Sequence, residues 1–408
     1  MIAPAELPPT SARLRYTQRG NLRATRYGWL RLTPAYSLHL VRELVSTRGD
    51  AGGPVLDPFC GTGTTLLVCT ELGLDCDTLD LNPFLVWLAS AKSRSYSARE
   101  RSAAAALGER ALTAVLRGRS RTAWRPALHN IERWWPPDTL AALARAFEIL
   151  RAETASKAAA DLCKLAFCRA LIDSSNASFN HQSLSFKAPG TVTGGARPVA
   201  EAFERALASV IGAAGKLPRT RRAARLGDAR ALSAALDQRR YRTVITSPPY
   251  PNRMSYIREL RPYMYWLGYL DDGRAAGELD WRLIGGTWGT ATSRVGKWQA
   301  PSRQEDLLPE LSPVLGAIGR QSELLSRYVA KYFHDMALHV SGLPAVLEPG
   351  AEAHYVIGNS KFYDVLLPAE RLLASLFERT GFRDVRLQTL RKRTSKAELF
   401  EYLVSARI

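Results

Sequence analysis

The sequence contains no uninterrupted run of eighteen apolar residues, and its opening stretch, MIAPAELPPTSARLRYTQRG, has no apolar segment behind a basic start. A membrane-spanning helix needs about 20 apolar residues and a secretory leader needs an apolar core. A soluble cytoplasmic protein is therefore expected. Cysteine is scarce. Cys60, Cys69, Cys76, Cys163 and Cys168 make no C-x-x-C pair and no spacing that suits zinc or a disulfide framework. Reduced, mostly buried thiols and no metal site are expected. Acidic residues are also few, with 38 Asp+Glu against 56 Lys+Arg and a net charge of +18. Such an excess suits a polyanionic partner, because each cation that neutralises a phosphate releases a counterion. Nucleic acid comes first and an anionic membrane second, while a generally basic, Ala-rich proteome would give the same balance.

At 408 residues, 46% hydrophobic and 9% aromatic, the chain suits one large α/β domain with insertions, or two to three domains. Residues 1–26 are Pro- and Arg-rich and are expected to be extended or mobile. Leu38, Val41, Leu44 and Val45 recur at helical spacing. GPVLDPF then predicts a short buried strand, TGTTLLVCTELG a helix closing on Gly73, DCDTLDLNP a second strand and FLVWLASAKSRS a second helix. Strand, glycine turn, helix and strand in succession form the βαβ unit that starts a parallel sheet. Residues 97–222 read as a mainly helical insertion that holds one polar segment, DSSNASFNHQSLSFKAPGTVTGG. The sheet resumes at ARLGDARAL and YRTVITSPPY, breaks for an irregular insertion over 271–322, and closes with EAHYVIGNS and two strands around a basic turn.

The first motif is DPFCGTGTT, residues 57–65. Gly61 and Gly63 after a strand let backbone approach a ligand, and the helix that follows offers unpaired N–H groups. The stretch lacks the lysine of a phosphate-binding Walker loop and is not G-x-G-x-x-G. An acid just ahead of G-x-G suits a nucleoside with an amino-acid tail, whose ammonium would pair with Asp57; a capped turn is the plainer alternative. Asp80 ends the second strand, where a carboxylate can accept both ribose hydroxyls. Asp228, one strand further on, could accept from an adenine amino group. Each acid alone also reads as a solvated strand end.

The second motif is TSPPY, residues 246–250. Pro248 and Pro249 fix φ and remove two N–H donors, so the carbonyls of Ser247 and Pro248 are pinned as acceptors. An exocyclic amino group on a heteroaromatic ring needs such acceptors, since its lone pair is conjugated and a poor nucleophile. Accepting its N–H bonds on the Ser247 hydroxyl and Pro248 carbonyl favours a pyramidal nitrogen. Tyr250 can stack on a base swung out of a helix.

With these two motifs the chain resembles the S-adenosylmethionine-dependent amino-group DNA methyltransferases. DPFCGTGTT matches their cofactor motif, TSPPY their catalytic motif, RLTPAYSLHLVRELV their remaining cofactor motif, and GNSKFYDVLLP with TGFRDV their closing strands. The resemblance implies a Rossmann-like fold with a mostly parallel seven-stranded sheet, an antiparallel C-terminal strand and a helical insertion. It assigns cofactor contacts to Thr33, Asp57, Phe59, Gly61, Gly63, Thr64, Thr65, Asp80, Asn82, Asp228 and Thr246. Catalysis falls to Ser247, Pro248, Pro249 and Tyr250. The Ser-Pro-Pro-Tyr form points to N4 of cytosine, with N6 of adenine as the alternative; an RNA amino-group methyltransferase and a non-catalytic DNA-binding relative are the further rivals. No Pro-Cys motif for attack on the cytosine ring accompanies it.

The cofactor motif precedes the catalytic one, so the methyltransferase domain divides into 27–96 and 223–408. Duplex DNA is the expected partner, and a cognate restriction endonuclease is a companion such enzymes can have. Asn252, Arg253, Tyr256 and Arg258 follow the catalytic corner and are candidate DNA contacts. In the helical insertion the candidates are Asn176, Asn180, His181 and Lys187; DWRLIGGTWGTATSRVGKWQ competes as the recognition segment, and either could be an active-site lid. The Arg219–Arg225 and Arg391–Lys396 clusters are expected on solvated surface, and Trp134–Trp135 in a core.

Overall fold

The computed structural model describes residues 15–17, 20–21, 25–32, 35–47, 52–118, 124–178, 185–188, 194–287, 289–300, 308–393 and 398–408. Thr33, Asn180, His181 and Lys396 lie outside the described residues.

Seven strands form the main sheet: β1 Val55–Asp57, β2 Cys76–Asp80, β3 Arg222–Leu226, β4 Tyr241–Thr246, β5 Leu347–Gly358, β6 Arg383–Lys392 and β7 Phe400–Arg407. Their spatial order is β3-β2-β1-β4-β5-β7-β6. β1 pairs in parallel with β2 and β4, β2 with β3, and β4 with β5; β7 runs antiparallel to both β5 and β6. This is the expected mostly parallel sheet with an antiparallel C-terminal strand. The chain steps outward from β1 to β3, then returns to β4 on the other side of β1. The loops after β1 and β4 thus part at a switch point, where open α/β sheets hold ligands.

Local chemistry sets the elements that shape this edge. Gly63 caps the helix Thr64–Glu71 in left-handed conformation, and the Asn82 side chain accepts from the Phe84 N–H to start the helix Pro83–Ser93. All three residues of β1 are buried, as a central parallel strand demands.

The insertion is helical as expected, with long helices Ala98–Arg117, Pro137–Ala152, Lys157–Asp173 and Ala196–Ala213. Its core closes around Trp266, ringed by Trp124, Trp135, Phe147 and Phe167 at centroid distances of 5.4–5.9 Å. Trp266 ends the helix Tyr256–Trp266, the first element after the Pro-Pro corner. The insertion is therefore packed onto residues 223–408. Trp134 and Trp135 are buried in this core.

Two expectations need correction. Residues 271–322 are largely helical, with Gly273–Arg282, Thr290–Lys297 and Ser312–Gly319. Their many Gly, Thr and charged residues dilute the apolar period, yet Asp272 caps the first by accepting from the Ala275 N–H. The described part of 1–26 is packed, not extended. Arg26 is buried and donates to the carbonyls of Ala213, Lys92, Arg94 and Gly215, tying the N-terminal segment to the insertion.

All five cysteines are free and buried. Among the described residues no helix is long and apolar enough to cross a membrane.

Candidate active site

The parallel strands deliver Asp57, Asp80 and Thr246 to one edge of the sheet, and the loops beyond them enclose a cavity of about 250 Å³. Its wall includes Phe59, Gly61, Thr64, Asp80, Asn82 and Asp228 on one side, and Ser247, Pro248, Pro249, Tyr250, Asn252 and Tyr256 on the other. Two motifs far apart in sequence thus share one space.

The glycine loop is shaped by two positive φ values, 49° at Gly61 and 75° at Gly63. A Cβ on Gly63 would lie 2.7 Å from Ala89 Cβ, so only glycine lets the helix Pro83–Ser93 pack this close. Gly61 N–H donates to Asp80 Oδ2 at 3.2 Å and Asn82 N–H to Asp80 Oδ1 at 2.8 Å. Each carboxylate oxygen keeps a second lone pair for the cavity. Desolvation nevertheless pushes the Asp80 pKa up to about 7.

Asp57 stands behind the loop. It is fully buried, and its Oδ1 accepts from Thr246 Oγ1 at 2.6 Å and from Phe59 N–H at 3.2 Å. Oδ2 is buried without a hydrogen-bond partner among the described residues. Burial raises its pKa to about 7, against the pull of those hydrogen bonds. Asp57 therefore does not line the cavity, where a direct contact with a ligand ammonium was expected. Thr65 is likewise buried, with its hydroxyl on the Ile245 carbonyl at 3.3 Å.

Asp228 reaches the cavity with its carboxylate already held by Arg230, through Nε at 2.9 Å and Nη2 at 2.7 Å. That ion pair keeps it below the usual carboxylate range once the cost of burial is overcome. An amino group arriving there would share the carboxylate with a guanidinium. Beside it, His339 Nδ1–H donates to the Ala229 carbonyl at 2.8 Å, Nε2 of the neutral ring accepts from Tyr355 Oη at 2.7 Å, and the ring packs edge-on against Phe59 at 4.8 Å. Burial lowers the His339 pKa to about 4, so at neutral pH this prop carries no charge.

At the Pro-Pro corner, Ser247 Oγ donates to the Val356 carbonyl at 3.0 Å. Its proton points into β5, which leaves the oxygen as an acceptor for the cavity. Tyr332 Oη donates to the Pro249 carbonyl at 2.7 Å and fixes the turn. Tyr250 Oη donates to Glu401 Oε1 at 2.8 Å; burial and the Glu401 charge both raise its pKa, so the phenol stays neutral. Arg253 and Arg258 are exposed beside the corner, and Arg253 holds a φ of 61° with its N–H on Tyr328 Oη at 3.2 Å.

Asn176 and Lys187 flank a two-stranded ladder in the insertion, Ala177–Ser178 with Ser185–Phe186, and the Lys187 N–H donates to the Asn176 carbonyl at 2.7 Å. Asn176 Nδ2 donates to Arg133 O at 3.3 Å and Lys187 Nζ to Ser175 O at 3.1 Å. Neither lines the cavity.

Sequence reasoning missed both ends of the chain. Tyr16 and Tyr36 line the cavity, and Tyr36 Oη bonds Thr65 Oγ1 and the Ile245 carbonyl. Arg391, Arg393 and Glu401 from the terminal hairpin line it too. The alternation in LQTLRKR, which puts Arg391 and Arg393 on one face of a strand, was the available signal.

No protein-family model matches the chain. Over 57 residues it is 35% identical to the type II methyltransferase M.MjaII of Methanocaldococcus jannaschii, which is 14% of this chain and 11% of that protein. The chain thus matches about a tenth of the length of that relative. Two solved structures of the rRNA methyltransferase aviRa from Streptomyces viridochromogenes align with 92% of this chain and 86% of theirs. Identity is 16% and 15%, and the superpositions are loose, with TM-scores of 0.27 and 0.25. Over that short stretch the chain is similar to a methyltransferase.

Proposed function

We propose that the chain transfers a methyl group from S-adenosylmethionine to the exocyclic N4 of cytosine in duplex DNA, on a base swung out of the helix. The observation that carries this reading is the orientation of Ser247, whose hydroxyl proton is taken by Val356 while its oxygen faces a cavity shared with Asp80 and the glycine loop.

The residues present fit the cofactor. Asp80 offers two carboxylate oxygens to ribose hydroxyls, Gly61 keeps the wall thin, and Phe59, Leu85 and Ile284 give apolar surface to an adenine ring. Asp57 sits one layer back, where its ionised form would supply negative potential to a cationic tail. When bound, S-adenosylmethionine supplies an electrophilic methyl on a sulfonium. The chain's part is to receive and orient the nucleophile. Ser247 Oγ and the Pro248 carbonyl accept the two amino hydrogens, which concentrates electron density in the nitrogen lone pair. Tyr250 supports the ring, its phenol pinned by Glu401. After methylation the nitrogen is cationic and acidic, so its proton needs no strong base. Arg253 and Arg258 stand where DNA phosphates flanking the corner would pass, in keeping with the +18 charge.

Nucleoside mass spectrometry of duplex DNA treated with the purified chain and S-adenosylmethionine tests this. N4-methylcytosine is the expected product. N6-methyladenine in its place would overturn the base assignment, and methylated RNA with unmodified DNA would overturn the substrate.

A further inference from the structure

The terminal hairpin contributes a charged group to the cavity that the motifs do not explain. Arg391 in β6 lies directly across from Glu401 in β7, and the two form a forked ion pair with Nε–Oε2 at 2.8 Å and Nη2–Oε1 at 3.2 Å. Glu401 is buried, and its Oε1 also accepts the Tyr250 phenol. The carboxylate thus clamps Arg391 and Tyr250 into one assembly. Arg393 continues it, with its guanidinium 5.0 Å from the centre of the Tyr250 ring and Nη1 on the Asn359 carbonyl at 2.7 Å. Arg391, Arg393, Glu401, Tyr250 and Ser247 all line the same cavity.

Glu401 takes two of the five N–H donors of Arg391. Among the described residues no acceptor is recorded for Nη1, whose two hydrogens remain for the cavity. An Arg held this rigidly beside a base-stacking tyrosine is a preformed donor group. The acceptor side of a base held by its amino group at Ser247 and Pro248 is decided by ring chemistry. Cytosine carries N3 and O2 next to its amino group, two adjacent acceptors on one edge. Adenine carries N1 and then C2–H, which accepts nothing.

Resting on the reading above, we propose that Arg391, clamped by Glu401, reads the N3–O2 edge of the target cytosine and so selects cytosine over adenine. Arg391 is then a recognition residue, and Glu401 positions it. A phosphate contact is the competing role for any exposed cation, but the clamp holds Arg391 inward against the cavity wall. A phosphate also needs only charge, which Lys supplies as well as Arg.

The test uses the full chain, S-adenosylmethionine and duplex DNA, with nucleoside mass spectrometry for both methylated bases and calorimetry for cofactor affinity. Arg391→Gln is expected to lower the rate of N4-methylcytosine formation about tenfold or more, with a smaller fall in any N6-methyladenine and cofactor affinity within about threefold. Arg391→Lys is expected to fail similarly, because it keeps the charge and loses the fork. Full activity in Arg391→Gln, or rescue by Arg391→Lys, would overturn the base-reading role. Equal loss of both products together with loss of cofactor binding would make Arg391 structural and overturn it too. If the wild-type chain forms no N4-methylcytosine at all, the proposed function falls, an outcome distinct from an active wild type with an indifferent Arg391.

Discussion

Thr246 donates its hydroxyl to Asp57 Oδ1 at 2.6 Å, a bond that spans 189 residues of sequence. It joins the strand that ends in the glycine loop to the neighbouring strand that ends in the Pro-Pro corner. Both loops therefore take their position from one buried contact. Losing the Thr246 hydroxyl would leave a buried carboxylate with one fewer donor, which costs about 1–3 kcal/mol.

The same carboxylate sets a pH dependence. Burial moves the Asp57 pKa from 3.8 to about 7, so between those values the folded chain keeps a proton that the unfolded chain has released. The Asp57 contribution to stability is consequently lost as pH rises from about 4 to about 7 and is level above that. Asp57→Asn removes this contribution. Urea unfolding of the ligand-free protein at pH 5 and pH 8 should show the variant gaining on the wild type at the higher pH. The interval from pH 5 to about 7 sets an upper scale of roughly 2.7 kcal/mol for the gain. A pH-independent difference between the two proteins would show that Asp57 ionises as freely when folded as when unfolded.

The two walls of the cavity should respond differently to substitution. Asp80→Ala removes the carboxylate proposed to accept the ribose hydroxyls and also frees the N–H groups of Gly61 and Asn82. Calorimetry should record cofactor affinity reduced by about tenfold or more, from hydrogen bonds to a charged group at roughly 1.5–3 kcal/mol.

Ser247→Ala removes an acceptor that acts on the nucleophile. Turnover should fall by roughly 10²–10³, the scale of one lost preorganised hydrogen bond, with cofactor affinity nearly unchanged. Single-turnover methylation assays beside calorimetry separate the two effects. The reverse pattern, affinity lost at Ser247 and turnover lost at Asp80, would mean the two walls have been exchanged.

The centre of the site was legible because its chemistry is local. Gly61 and Gly63 both hold positive φ, Gly63 is crowded by Ala89 as well, and a Pro-Pro pair announces its own geometry. Acids and turns at the ends of parallel strands converge whatever the intervening length, so Asp80, Asp228 and Ser247 line one cavity despite a long helical insertion. The margins were not legible, because their roles depend on long-range pairing. Arg391 looked like a solvated cation until β6 and β7 set it across from Glu401. Arg26 looked like part of a loose basic tail, yet it satisfies carbonyls from two other regions of the chain. Asp57 was placed on the right strand, but whether its carboxylate faces the cavity or Thr246 is a matter of packing that sequence does not display.

Gly63 gives the sharpest structural test of the cofactor loop. Its φ of 75° disfavours any side chain, and a Cβ there would stand 2.7 Å from Ala89 Cβ and 2.9 Å from Ala89 Cα. The latter is backbone of a helix whose start is fixed by Asn82, so the clash cannot be relieved by rotating a side chain. Gly63→Ala should therefore push the helix Pro83–Ser93 away from the loop and lower stability by about 1–3 kcal/mol, read as a fall in melting temperature. Asn82 lines the cavity at the foot of that helix, so cofactor affinity should fall with it. Ala89→Gly in the Gly63→Ala background removes the methyl partner in the clash but leaves the clash with the helix backbone and the strained φ. Partial recovery of melting temperature is expected, and full recovery would show that crowding by the Ala89 methyl alone makes glycine necessary at position 63.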